Sequence, residues 1–326
     1  MNSSISSSSR LIAVFAASLV AMLAALIGAS EWLVREKAAP ADTFGRHVAL
    51  FQETASPYAA FGDSHVARNF AAAGPVVNLA YPSENIEKMA WKAKRYLDRV
   101  ERPEAVLIQA DAHLFSEYRA QSGLGDYRQA FGLEAPPLLF SLSPRYRPQL
   151  IALWKAFLVN GGVLESGIEM TPEGALLSPG DLSRWPEPRI EIFVRGRVEL
   201  QRPAEDFSSS AEAKAYRDMV ARFTESGATV CLVSFPLSPA YRAALDALPD
   251  QDRGRYEAAH EFFENLAAAP DVRLIDDRSR YSDPELFRDP DHLNKKGALL
   301  YGPLLQDACF GGAGEGARIA AVPLGP

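Results

Sequence analysis

The chain has 326 residues, with 34 Lys and Arg against 41 Asp and Glu, for a formal charge of −7. That balance argues against a nucleic-acid partner, which needs a basic face. There is no Gly-rich phosphate loop of Walker or dinucleotide type and no Cys/His cluster spaced for zinc, so no cofactor or metal is implied.

Taken in chain order, residues 1–10 read as a short Ser-rich disordered tail. Leu11 to Ala29 then runs nineteen residues without a charge. As a helix it would extend roughly 28 Å, close to the hydrocarbon thickness of a bilayer. Residues 11–30 are therefore expected to be an uncleaved transmembrane anchor, with Trp32 at headgroup level. The alternative is a signal peptide cleaved near Gly28-Ala29-Ser30. Residues 31–56 read as a juxtamembrane stalk, 57–310 as one globular domain, and 311–326 as a flexible Gly/Ala/Pro-rich tail.

Within the domain, short apolar runs at 57–61, 76–79, 105–110, 229–235 and 272–276 are strand candidates, and 84–100, 209–226 and 256–268 read as amphipathic helices. The alternation predicts an α/β fold, a three-layer α/β/α sandwich around a roughly five-stranded parallel sheet. The interval 116–205 breaks the rhythm. It contains a predicted helix at Gln149–Val159 and a loop around Met170-Thr171-Pro172-Glu173-Gly174, and is expected to be either an inserted substrate-binding cap or a purely structural excursion. The two cysteines, Cys231 and Cys309, fit an oxidising compartment, but the strand-like setting of Cys231 favours a buried free thiol.

Two fragments carry the chemistry. Phe61-Gly62-Asp63-Ser64-His65 follows the first predicted strand of the domain, which places Ser64 at a strand-to-helix elbow with Asp63 shaping the turn. Far downstream, Asp289-Pro290-Asp291-His292-Leu293-Asn294 spaces an acid and an imidazole three residues apart. A serine hydroxyl becomes a useful nucleophile when a base takes its proton and an acid orients that base. Ser64, His292 and Asp289 are the candidates for those three roles. Each fragment has a bland alternative, since an Asp-Ser pair in a Gly turn also serves as a helix N-cap.

Together the blocks resemble the SGNH/GDSL family of serine esterases and acyltransferases, whose first block is G-D-S and whose last is D-x-x-H. The Gly-Asp-Ser-His form, with Gly297 after the closing block, is similar to members that act on acyl groups of bacterial glycans. Val76 to Asn85 resembles the second block, with Ser83 where the family has the Gly whose amide enters the oxyanion hole. Ala105 to Phe115 resembles the third, with Asp111 on the Gly and His113 on the Asn of G-x-N-D. The resemblance implies an oxyanion hole made of the Ser64 and Ser83 amides, with His113 as a third donor. A loop-satisfying His113 is the alternative, and a separate site built from Asp111 and His113 is another.

The expected protein is a serine ester hydrolase or O-acyltransferase working on acyl esters, chiefly acetyl, of cell-envelope or exopolysaccharide glycans. It would sit in an inner membrane by a single pass with its domain in the periplasm, or be released there after signal cleavage. Its expected partners are an acylated carbohydrate or small ester, the membrane, and a membrane-bound acyl-donor transferase if it is a transferase. Two other readings remain open: a non-catalytic glycan-binding or assembly protein of the same fold, and a periplasmic lipid esterase.

Overall fold

The computed structural model describes residues 7–39, 42–120, 127, 131, 138–143, 146–160 and 167–311. The expected C-terminal tail beyond Gly311 and most of the expected N-terminal tail lie outside them. The chain divides into two compact units: residues 1–48 with 126–166, and residues 49–125 with 167–326. The interval 116–205 is thus shared between the two.

The larger unit is built on five parallel strands: β1 (Tyr58–Phe61), β2 (Val76–Asn78), β3 (Ala105–Gln109), β6 (Thr229–Ser234) and β7 (Val272–Asp276). Their order is β2-β1-β3-β6-β7, with Tyr58 beside both Val76 and Ala105, and Leu107 beside Cys231. All five residues of β3 are buried, as are five of the six in β6. That is why these strands read as unbroken apolar runs: helices cover both faces, so no position alternates towards water. The helix Ala211–Glu225 buries Ala213, Tyr216, Met219, Val220 and Phe223 at three- and four-residue spacing. The helix Ile86–Leu97 does the same with Ile86, Met89, Ala93 and Tyr96. The α/β class and the five-stranded parallel sheet expected from the sequence are present.

Two small hairpins complete this unit. β4 (Glu169–Met170) pairs with β5 (Leu176–Leu177) around the expected loop at 171–174, and β8 (Phe287–Asp289) pairs with β9 (His292–Leu293). The chain leaves β1 for β2 on one side and then crosses to β3 on the other, so the order reverses at β1/β3. Parallel sheets open a crevice at such a reversal, beyond the carboxyl ends of the strands.

Cys231 and Cys309 form a disulfide, with Cα atoms 5.5 Å apart. The expectation of a free thiol is therefore corrected. The closing helix Lys295–Phe310 returns its last turn to the buried centre of β6, an approach invisible across 78 residues of intervening chain. Closing a loop of that length restricts the unfolded ensemble, so the double variant Cys231→Ala/Cys309→Ala should lose about 4 kcal/mol of unfolding free energy in urea titration. An unchanged midpoint would show that the bridge adds nothing to stability.

The smaller unit contains the helix Ser7–Leu33, continued by a π-helical turn at Val34–Ala38. Its segment Arg10–Ala38 is long and apolar enough to cross a membrane. The helix begins inside the expected tail and runs on into the expected stalk, where Thr43–Glu53 is also helical. The helix predicted at 149–159 forms as Leu150–Asn160.

Candidate active site

Ser64 opens the helix Ser64–Asn69 directly after the turn from β1. Gly62 is required there, because a Cβ would strike the side chains of Val66 and Gln109. Asp63 caps the helix through Oδ1, which accepts from the His65 amide at 2.8 Å. The closing block reaches this helix through β9: the Leu293 amide donates to Asn69 Oδ1 at 2.8 Å. Asn294 then caps the final helix by accepting from the Gly297 amide at 3.0 Å. Gly297 must lack a side chain, since a Cβ would meet the Leu286 carbonyl.

These contacts bring the three expected residues into one chain of hydrogen bonds. His292 Nε2 lies 2.8 Å from Ser64 Oγ, and His292 Nδ1 lies 2.8 Å from Asp289 Oδ1. Ser64 is half-buried and open to a reactant, whereas Asp289 and His292 are buried. Burial pulls the His292 pKa down, but the carboxylates of Asp289 and Asp291 outweigh it and leave the pKa raised. The arrangement is chemically competent for proton transfer from Ser64 to His292, with Asp289 holding the imidazole in the tautomer that accepts at Nε2.

A second layer of buried charge stands behind these residues. His65 Nδ1 donates to Asp111 Oδ2 at 2.8 Å, while its Nε2 comes within 3.7 Å of Asp291. Desolvation alone would lower the His65 pKa, but Asp111, Asp291 and Asp63 push it up to about 10, so the ring is an imidazolium at neutral pH. Asp291 Oδ2 also accepts from Gln201 Nε2 at 3.0 Å and forms an ion pair with Arg197, whose Nε lies 3.2 Å away, and its Oδ1 lies 3.4 Å from His292 Nδ1. Burial would raise the Asp291 pKa, yet His292, His65 and Arg197 hold it well below the carboxylate range. The chain continues from Gln201 to the hydroxyl of Tyr241, which donates to Gln201 Oε1 at 2.5 Å.

Asp63 and His113 are placed differently from the sequence expectation. Asp63 is more than a turn residue: its Oδ2 takes Arg119 and, at 2.8 Å, His113 Nε2. Burial lowers the His113 pKa, against the pull of Asp63, so the ring is neutral at pH 7. A neutral imidazole has one N–H, and facing a carboxylate at Nε2 it places the proton there. That N–H is committed to Asp63, so the geometry does not bear out His113 as an oxyanion donor. Asp111 engages His65, Gln109 and the Phe235 amide through hydrogen bonds, whereas His113 is hydrogen-bonded to Asp63.

Ser83 is, among the described residues, the only non-glycine with positive φ, at 68°. This is the left-handed conformation that makes glycine the usual choice there, and a serine holds it at about 1 kcal/mol. The turn is held from beneath by Lys92, whose buried ammonium pairs with Glu84 at 2.5 Å and also donates to the Leu79 carbonyl. Asn85 caps the following helix by accepting from Lys88 N at 3.0 Å. The Ser64 amide, at the start of its helix, is among those left without an intrahelical acceptor.

Two sets of side chains lie close enough to ligate an ion: His65, Asp111 and His113, and His65, Asp291 and His292. Their imidazole nitrogens already face carboxylates, with His65 on Asp111 and His113 on Asp63, and Arg119 pairs with Asp63 while Arg197 pairs with Asp291.

Sequence reasoning missed His65, Arg119, Arg197, Gln201 and Tyr241 as parts of this assembly. The Gly-Asp-Ser-His variant was the available signal for His65. Arg119, Arg197 and Gln201 come from the interval 116–205, whose portion in the larger unit therefore supplies charge to the site. No protein-family model matches the chain, and no curated protein matches it.

Proposed function

We propose that the protein is a serine-dependent ester hydrolase or O-acyltransferase of the SGNH-like type. The observation that carries the reading is the hydrogen-bonded chain Ser64–His292–Asp289 at 2.8 Å per step, with its nucleophile at the crevice of a parallel sheet. Ser64 Oγ attacks the ester carbonyl as His292 takes its proton. The tetrahedral oxyanion is held by the Ser64 and Ser83 amides, then collapses to an acyl-enzyme as His292 protonates the leaving alkoxide. Water or a sugar hydroxyl, deprotonated in turn by His292, attacks the acyl carbonyl and frees Ser64. Water makes the protein an esterase, and a sugar hydroxyl makes it a transferase.

Acyl esters of envelope glycans are the proposed substrates. This part of the reading is supported by the N-terminal helix, by the Cys231–Cys309 disulfide, which suits an oxidising compartment, and by the Gly-Asp-Ser-His resemblance. On this reading the larger unit faces the periplasm.

A fluorophosphonate should label the purified full chain at Ser64, located by mass spectrometry of the peptide, and the labelled protein should no longer release acetate from acetylated polysaccharide. Absence of any Ser64 adduct would favour the binding-protein reading. Labelling with release of fatty acid from lipid and none of acetate would favour the lipid esterase.

The raised His292 pKa makes a separate prediction. The base works only when neutral, so kcat/KM should fall with decreasing pH through an apparent pKa above 6.5. An acid limb centred at or below 6.5 on a non-ionising ester would remove His292 as the base, or its carboxylate partners as the cause.

A further inference from the structure

The helix Leu150–Asn160 reads Leu-Ile-Ala-Leu-Trp-Lys-Ala-Phe-Leu-Val-Asn, with Lys155 its one charged residue. One side is used within the smaller unit: Leu153, with half-buried Leu150, Trp154 and Phe157, packs on Leu33, Val34, Ala38 and Tyr146. The other side carries Ile151 at 87 % exposure, Leu158 at 74 % and Val159 at 72 %. Ile151 and Leu158 are seven residues apart and lie on one stripe, with Lys155 between them. In water such a helix would keep its polar residues on this face.

The location of the helix indicates what covers that face. Trp154 Nε1 donates to Ser30 Oγ at 3.1 Å, and the rings of Trp32 and Phe157 meet edge to face at 5.6 Å. Ser30 and Trp32 follow immediately after the uncharged stretch Leu11–Ala29, at the end of the span where two amphipathic tryptophans suit the headgroup level. The segment before the helix reaches the same turns, with the Phe140 and Ser141 amides donating to Glu31 at 3.0 Å each. It exposes Leu138 at 92 % and Leu142 at 51 %. Exposed apolar surface therefore runs on from Leu23, Leu26 and Ile27 of the long helix to this short one.

We propose that Leu150–Asn160 is a second membrane element, lying along the bilayer interface beside the spanning helix with Ile151, Leu158 and Val159 immersed in lipid. Its 11 residues make a rod of about 16 Å, too short to cross, so it lies in the plane. Lys155 extends its ammonium to the phosphates while its methylene stem stays with the apolar face. The proposal rests on the membrane-spanning reading of the N-terminal helix and is independent of the ester chemistry.

The test uses the full chain in phosphatidylcholine/phosphatidylglycerol vesicles, with single cysteines Ile151→Cys and Leu158→Cys carrying a fluorophore. Asp218→Cys on an exposed helix of the larger unit serves as the aqueous control. The expected result is at least about twofold quenching at 151 and 158 by lipids bearing a nitroxide high on the acyl chain, with little quenching by iodide, and the reverse at 218. Adding Leu158→Glu and Val159→Glu together should move the probe at 151 into iodide reach while the protein still sediments with the vesicles. Iodide quenching of 151 and 158 equal to that of 218 would overturn the proposal. Protection from both quenchers would also overturn it, by showing that protein, from this chain or a second copy, covers the face.

Discussion

Ser64→Ala is expected to lower ester turnover by at least about a thousandfold, a loss of roughly 4 kcal/mol of transition-state stabilisation. The substitution removes Ser64 Oγ, which His292 Nε2 meets at 2.8 Å, so the covalent route is gone while the backbone donors and substrate contacts remain. The fold should be almost untouched. Asp63, not Ser64, caps the helix, and Ser64 is half-buried rather than packed. Turnover and thermal unfolding measured on the same preparation separate the two effects. Retention of more than about a tenth of wild-type turnover would contradict the assignment, because removal of a triad nucleophile never leaves that much. His292→Ala should match the loss. Asp289→Asn should cost less, since the acid orients and stabilises a base that can still act without it.

Asp291→Asn is expected to act on stability more than any other single change at the site. Asp291 is fully buried among His65, Arg197 and His292, so neutralising it leaves cationic groups in a dry interior with one counter-charge fewer. Breaking a buried pair from one side costs about 3 kcal/mol or more, here about 10 °C in midpoint for a domain of this size. The pH dependence gives a second readout. His65 has a folded pKa of about 10 against 6.5 unfolded, so its contribution is fully present below about pH 6.5 and is lost as pH rises towards 10. Asp63 and Asp291 have depressed pKa values, so their contribution is present above the ordinary carboxylate pKa and is lost as pH falls through the folded values. Wild-type stability should therefore decline on both sides of neutrality. In Asp291→Asn the alkaline decline should shrink, because one of the carboxylates that raises His65 is gone. Urea titrations at pH 6 and pH 9.5 check this. A variant as stable as wild type with the same alkaline slope would mean that the second layer carries no charge coupling. If Asp291→Asn instead keeps its stability and loses more activity than Asp289→Asn, Asp291 is the acid that serves His292.

What could be read from the sequence was local. The central strands announced themselves because a strand buried on both faces must be apolar throughout, and Val106-Leu107-Ile108 or Val230-Cys231-Leu232-Val233 needs no partner to show it. Ser64, Asp289 and His292 were legible because each fragment carries its own short-range logic: a Gly turn that admits a nucleophile elbow, and a three-residue spacing that lets an acid reach the far side of an imidazole. The long N-terminal helix was legible for the same reason, as an uncharged run of spanning length.

Pairings between distant residues were settled only by the tertiary structure. Whether His113 faces an oxyanion or Asp63 depends on where β3 ends relative to β1, and whether Asp111 serves His113 or His65 depends on the same register. Arg119, Arg197 and Gln201 are ordinary polar residues in sequence. They become parts of the site because residues of the interval 116–205 fold back against Asp63, in the case of Arg119, and against Asp291 of the closing block, in the case of Arg197 and Gln201. Cys231 looked like a lone core thiol until the last helix returned to β6. In each case the deciding quantity is a through-space distance between groups that chain spacing leaves unconstrained, and folding sets it by which surfaces must be buried together and which buried charges must find a partner.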